Sequence, residues 1–210
     1  MVKKTDSLSE QEINTRHAEK MAKKKAARDK IMAGKTADKG LIIVHTGKGK
    51  GKSTAGFGMI FRSIGHGFKT AVIQFVKGVW ETGERTVLEK FPETCTIKAM
   101  GGGFTWETQN RERDIAMARA AWDEAKALII SGDYKTVLLD EINIVLRYDY
   151  IPVSEVVEFL SNKKPKDVHV ILTGRNAAEE LIEIADLVTE MTQIKHPFRG
   201  GIKAQPGIEF

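Results

Sequence analysis

From residue 40 onward the chain alternates between two hydrophobic rhythms. Leu41–His45, Thr70–Phe75, Cys95–Met100, Val137–Asp140 and His169–Thr173 are short, nearly continuous apolar runs rich in Val, Ile and Leu. Runs of that kind predict strands buried on both faces. Leu187–Met191 is a weaker candidate for a sixth. Between them, helical spacing of apolar positions predicts helices over Lys52–Ile64, Glu107–Ser131, Ser154–Ser161 and Ala177–Ile184. Strands alternating with helices predict an α/β fold, a three-layer sandwich around a mostly parallel sheet, with ligands at the carboxyl ends of the strands.

The first 39 residues follow a different pattern. Ser9 and Glu12 make a capping box, Leu8 and Ile13 are spaced for a hydrophobic staple, and Gly34 is placed to stop a helix over Glu10–Ala33. Its apolar stripe of Ile13, His17, Met21 and a few alanines is too thin for a core helix. The expected organisation is therefore a helical extension, 1–39, ahead of one domain, 40–210. Charge sharpens that division. The extension holds 11 Lys and Arg against 6 Asp and Glu, whereas residues 40–210 hold 22 against 22, so the whole excess of +5 lies in the extension. A neutral body gives no footprint for nucleic acid, and no nucleic-acid partner is expected.

The turn after the first strand carries the strongest chemical signal. Thr46-Gly47-Lys48-Gly49-Lys50-Gly51-Lys52-Ser53-Thr54 places three glycines at alternate positions and ends in Gly-Lys-Ser. Such a loop turns its N–H groups inward toward phosphate, Lys52 adds a mobile positive charge, Ser53 offers a hydroxyl to a phosphate-bound Mg²⁺, and the helix dipole behind it faces the same anion. The pattern implies a nucleoside-triphosphate site of the P-loop NTPase kind (RecA-like). One position departs from the general motif, because Thr46 stands where the first glycine is expected.

Other residues acquire meaning beside that loop. Asp140 and Glu141 close an apolar strand, where acids either hold Mg²⁺ or cap the next helix. Arg175, after the fifth strand, is suited to neutralising phosphate or meeting a second substrate, or equally to a structural ion pair. Gln74 and Lys77 follow the second strand and are open to the same two readings. The five histidines lack metal-ligand spacing, and His45 and His169 fall inside strands, where packing is the expected role. Cys95, the single cysteine, has no partner for an internal disulfide and is expected to pack. In Gly101-Gly102-Gly103-Phe104-Thr105-Trp106, the two aromatics of an extended chain point to one side, either as a packed pair or as an apolar wall of the site.

The span from Gly40 to Phe210 resembles the P-loop corrinoid (cob(I)alamin) adenosyltransferase family. The resemblance is carried by Thr46–Thr54, Gly65-His66-Gly67, Val72–Gly78, Gly103–Arg111 (G-F-T-W-E-T-Q-N-R), Leu139-Asp140-Glu141, Tyr148-Asp149-Tyr150, Thr173-Gly174-Arg175, Lys195–Phe198 and Gly201–Ile208 (G-I-K-A-Q-P-G-I). Thr46 looks like this family's own form of the loop. The resemblance implies transfer of the 5′-deoxyadenosyl group of ATP to the cobalt(I) of a reduced corrinoid, with triphosphate released, in adenosylcobalamin biosynthesis or salvage. It implies ATP held by Thr46–Thr54 and Arg175 in the reverse sense to a kinase, and Mg²⁺ held by Ser53, Asp140 and Glu141. It further implies Phe104 and Trp106 against the lower face of the corrin, an N-terminal helix closing over the site, a homodimer and an electron-donating flavoprotein reductase.

The rival readings are a P-loop hydrolase or motor, a small-molecule kinase and a nucleotide-sensing module. The first two give the G-F-T-W-E segment no obvious task, and the third uses the carboxylates and aromatics less well. No apolar run approaches the roughly 20 residues of a membrane span, and Met1–Asp6 lacks a secretory apolar stretch, so a cytoplasmic location is expected.

Overall fold

A computed structural model of the chain describes residues 9–76, 82–101 and 110–209. Its backbone divides into two units, Met1–Asp38 and Lys39–Phe210.

The first unit is one helix, α1 (Glu10–Ala33). Its capping box is complete: the Glu12 N–H donates to Ser9 Oγ, and the Ser9 N–H donates to Glu12 Oε2 at 2.9 Å. Those reciprocal bonds satisfy two N–H groups that a helix start otherwise leaves open, and they hold the Glu12 carboxyl below its usual range. Gly34 closes the helix, and none of its residues is buried. Leu8, the other half of the expected staple, lies outside the described residues.

The second unit is built on β1 (Ile42–Thr46), β2 (Thr70–Gln74), β3 (Cys95–Ala99), β4 (Thr136–Asp140), β5 (His169–Thr173) and β6 (Leu187–Glu190). They form one sheet in the order β3-β2-β4-β5-β1-β6, with every neighbouring pair parallel. Helices α2 (Lys52–Gly65) and α3 (Gly83–Leu88) cover one face; Phe57, Ile60 and Leu88 pack there on Ile43, Val72, Leu138 and Ile171. Helices α4 (Arg111–Ile130), α5 (Ile142–Arg147), α6 (Val153–Asn162) and α7 (Glu179–Ile184) cover the other, over Val44, Ile73, Leu139 and Leu172. The alternation of adjacent strand residues between two apolar clusters is what a sheet covered on both sides requires. The result is the three-layer α/β sandwich that the pattern predicts.

Lys164 ties the chain together at the amino ends of β1 and β5, opposite the loop end. Its ammonium donates to the carbonyls of Gly40, Pro165 and Val168 at 2.9–3.0 Å. Among the described residues no helix is long and apolar enough to cross a membrane.

Candidate active site

Register places a row of polar side chains across the carboxyl ends of the strands, on the face covered by α2. Gln74 pairs with Asp140, and His45 pairs with Thr173. Asp140 is fully buried; Thr173 Oγ1 donates to its Oδ1 at 2.8 Å, and Gln74 Nε2 donates to its Oδ2 at 3.3 Å. Thr173 Oγ1 also accepts from the Glu141 N–H at 2.9 Å. Burying a carboxylate is costly unless hydrogen bonds satisfy its oxygens, and here both oxygens are engaged. Asp140 thus lies beneath the site and steers Thr173, which in turn orients the Glu141 backbone.

Glu141 adopts φ 62°, a left-handed conformation uncommon for a residue with a side chain, and stands as N-cap of α5. The bend brings it to a cleft of about 740 Å³ that it shares with Gly49–Thr54, Gly83, Glu84, Arg175, His196 and Gly207–Glu209. Gly174 makes Arg175's place there possible. Its φ is 128°, and a Cβ on it would come within 2.9 Å of Asn143 Cβ and 3.2 Å of Glu141 Oε2. Asn143, in the first turn of α5, donates from Nδ2 to the Gly174 carbonyl at 3.2 Å and fixes that approach.

The phosphate loop is braced by its neighbours. Thr46 Oγ1 accepts from the Ala177 N–H at 3.0 Å, which explains the departure from glycine: a glycine here would leave that N–H without its acceptor. The Met191 N–H donates to the Thr46 carbonyl at 2.8 Å, and the Gly49 N–H donates to the Met191 carbonyl at 2.6 Å. Gly47 and Gly49 pass so close to this crossing that a Cβ would lie 2.5 and 2.7 Å from Met191 O. Gly51, at φ 104°, turns the chain into α2, whose first turn has no side-chain cap and no acidic residue. Its leading N–H groups therefore form an open anion site at the cleft.

Lys52 is 7% exposed, and its ammonium donates to the Gly49 carbonyl at 2.5 Å. Burial pushes its pKa down; Glu141 opposes that shift, while Arg175 and Lys50 add to it. Ser53 and Thr54 line the cleft. The structure thus brings Gly49–Thr54, Glu141 and Arg175 together around one cleft. It places Thr46 and Gly47 behind the loop as bracing, and Lys48 outside the cleft lining. Phe104, Trp106 and Lys77 lie outside the described residues. Gly101, which leads toward the aromatic pair, is pressed on the end of β2, where a Cβ would lie 2.5 Å from Phe75 O.

Sequence reading did not single out Glu84, Asn143, His196 or Glu209 as site residues. Short-range pattern holds no signal for Glu84 or Asn143, whose roles arise from packing between loops distant in sequence. His196 and the tail belong to a stretch that only the resemblance had marked.

The profile of the family described as "ATP:corrinoid adenosyltransferase BtuR/CobO/CobP" matches residues 38–210. The chain belongs to this family. A second profile, "Cob(I)alamin adenosyltransferase N terminal", matches residues 6–32, the stretch containing most of α1. Relatives called corrinoid adenosyltransferase are similar over nearly their whole length. The one from Sinorhizobium sp is 67% identical over 198 residues, covering 94% of this chain and 92% of that protein. Those from Pseudomonas aeruginosa and Escherichia coli K12 are 47% and 44% identical, covering 95% and 93% of this chain and 98% of each relative. As an adenosyltransferase family member the chain is a transferase. In this adenosyltransferase the phosphate loop, Glu141 and Arg175 line one cleft.

Proposed function

We propose that this chain transfers the 5′-deoxyadenosyl group of ATP to the cobalt(I) of a reduced corrinoid, releasing triphosphate. The observation that carries the reading is the braced phosphate loop opening on a cleft with Lys52, Ser53, Glu141 and Arg175, in a chain of this family. Cobalt(I) is a strong nucleophile and attacks the ribose C5′; the C5′–O bond breaks and its electron pair leaves with the triphosphate. The protein's tasks are then to position the two substrates and to stabilise the charge of the leaving group.

Lys52, Arg175, the loop N–H groups and the first turn of α2 serve the second task. Ser53 and Glu141 suit a hard divalent cation, since both carry side-chain oxygen and line the same cleft. Bound there, Mg²⁺ would supply further neutralisation of the triphosphate. Asp140 acts beneath them by orienting Thr173 and Glu141. The family resemblance supports a role for Phe104 and Trp106 in excluding an axial ligand and water from the corrin, easing reduction from cobalt(II). Accordingly, Phe104→Ala or Trp106→Ala lowers the rate from cobalt(II) at least about tenfold more than the rate from prereduced cobalt(I), a difference of about 1.4 kcal/mol in activation free energy. Equal losses in the two assays count against that role.

Family membership supports the remaining parts of the reading: a homodimer in the cytoplasm, an electron-donating flavoprotein reductase as partner, and residues 1–39 as a lid ahead of the catalytic domain 40–210. The deciding experiment mixes the purified protein with Mg·ATP and chemically prereduced cob(I)alamin without oxygen. A light-sensitive adenosylated corrinoid with stoichiometric triphosphate is expected. ADP and phosphate with an unchanged corrinoid spectrum would overturn the proposal.

A further inference from the structure

The cleft contains an acid that a triphosphate site has no evident use for. Among the described residues its lining holds three cations, Lys50, Lys52 and Arg175, against three carboxylates, Glu84, Glu141 and Glu209. A lining in which every one of those cations is matched by an acid is poorly suited to a polyanion. Two of those acids are fixed in the frame, Glu84 in the first turn of α3 behind its Thr82 cap and Glu141 at the start of α5. Glu209 is different. It comes from the tail that follows β6, and the Lys50 ammonium donates to its Oε2.

The tail is weakly tied. Among the described residues, the backbone hydrogen bonds donated by residues 202–209 stay within the tail: Ile202 N–H to Pro197, and Ile208 and Glu209 N–H to Gln205. Ile202 and Ile208 are 50% and 77% exposed, so the tail has no apolar anchor at these positions, and Gly201 and Gly207 both sit at positive φ, where glycine turns freely. The Glu209 side chain is nevertheless 17% exposed, held down at the loop.

We propose that Glu209 is a displaceable counter-ion of the phosphate loop. It holds Lys50 when no triphosphate is bound, yields it to the incoming nucleotide, and takes it back as the triphosphate product departs. This rests on the reading that the loop binds the triphosphate of ATP. Its value to the reaction lies in release: a cleft offering all three cations unpaired would hold the highly charged product longest, and product release limits many enzymes. A partly exposed carboxylate–ammonium pair is weak enough to be displaced and strong enough to compete.

The test is calorimetric binding of inorganic triphosphate with Mg²⁺ to the full-length protein, as wild type, Glu209→Gln, Lys50→Ala and the double variant, with Lys52→Ala alongside. Glu209→Gln is expected to tighten triphosphate about three- to fivefold, and to slow turnover in the presence of added triphosphate. On the Lys50→Ala background the same change is expected to have less than about a 1.5-fold effect, because the partner it competes for is gone. Unchanged or weaker binding by Glu209→Gln overturns the proposal, as does equal tightening on both backgrounds, which would reveal only a distant field. In either case wild-type binding that is lost in Lys52→Ala leaves the phosphate-loop reading standing. A wild type that binds neither triphosphate nor ATP brings down both.

Discussion

Lys52 carries its charge in a nearly closed environment, and that has a measurable consequence. Burial lowers its pKa from the ordinary lysine value, so on the alkaline side it loses its proton earlier than an exposed lysine does. Below that lowered pKa the ammonium is intact and ATP affinity is flat with pH. Above it affinity falls, and binding takes up a proton, because the triphosphate restores the charged form. Titrations in two alkaline buffers of different ionisation enthalpy are expected to show that uptake, and Lys52→Ala to abolish it. His45 makes a second case. Both its ring nitrogens are buried without a hydrogen-bond partner among the described residues, and burial lowers its pKa below 6.5. The sign follows: the unfolded chain binds the proton more readily, so stability is full above about pH 6.5 and falls as pH drops from there through the folded pKa. His45→Phe is expected to reduce that acid-side loss, read as urea midpoints at pH 7.5 and 5.5. The residue scale was only partly legible in the sequence. Glycine and lysine spacing marked the loop, but nothing local separates Asp140, buried below the cleft, from Glu141, turned into it. That distinction depends on a left-handed backbone at Glu141 and a hydroxyl 32 residues away on β5.

Elements were more legible where their length let periodicity speak. The strands announced themselves as continuous apolar runs, and β6 forms at Leu187–Glu190 where the weakest run lay. Helices α3 and α5, six residues each, carry too few turns for a helical period and were not foreseen. Helix α2 offers a sharp test of how it seats the loop. Gly56 faces the sheet, where a Cβ would lie 2.9 Å from Leu138 Cδ1 and 3.1 Å from Thr173 Cγ2; Gly58 faces open space. Leu138 can rotate, but Thr173 is held by Asp140 and Glu141. Gly56→Ala is therefore expected to destabilise by about 1–3 kcal/mol through overpacking, and to lower activity by shifting Thr173. Gly58→Ala gains helix propensity of about 0.5–1 kcal/mol at no steric cost. Chemical denaturation of the pair settles both signs.

At the scale of the whole molecule the basic extension and the neutral body are different kinds of structure. α1 is stabilised by its capping box and by pairs such as Lys25–Asp29, and buries nothing; the body holds the hydrophobic core. A chain beginning at Lys39 is expected to unfold within about 2 °C of the full-length protein, a shift smaller than about 1 kcal/mol would cause in a chain of this size. A larger fall by calorimetry would show that the body leans on the extension. The same scale joins what lies far apart along the chain. β1 pairs with β5 on one side and β6 on the other, and the phosphate loop is clipped at both Thr46 and Gly49 by Met191. During synthesis, then, the loop emerges long before the strand that shapes it. A ribosome-bound chain stalled before residue 187 carries every residue of the phosphate motif yet lacks its brace, so the newborn protein gains the Met191 clip on its loop only once β6 has left the exit tunnel.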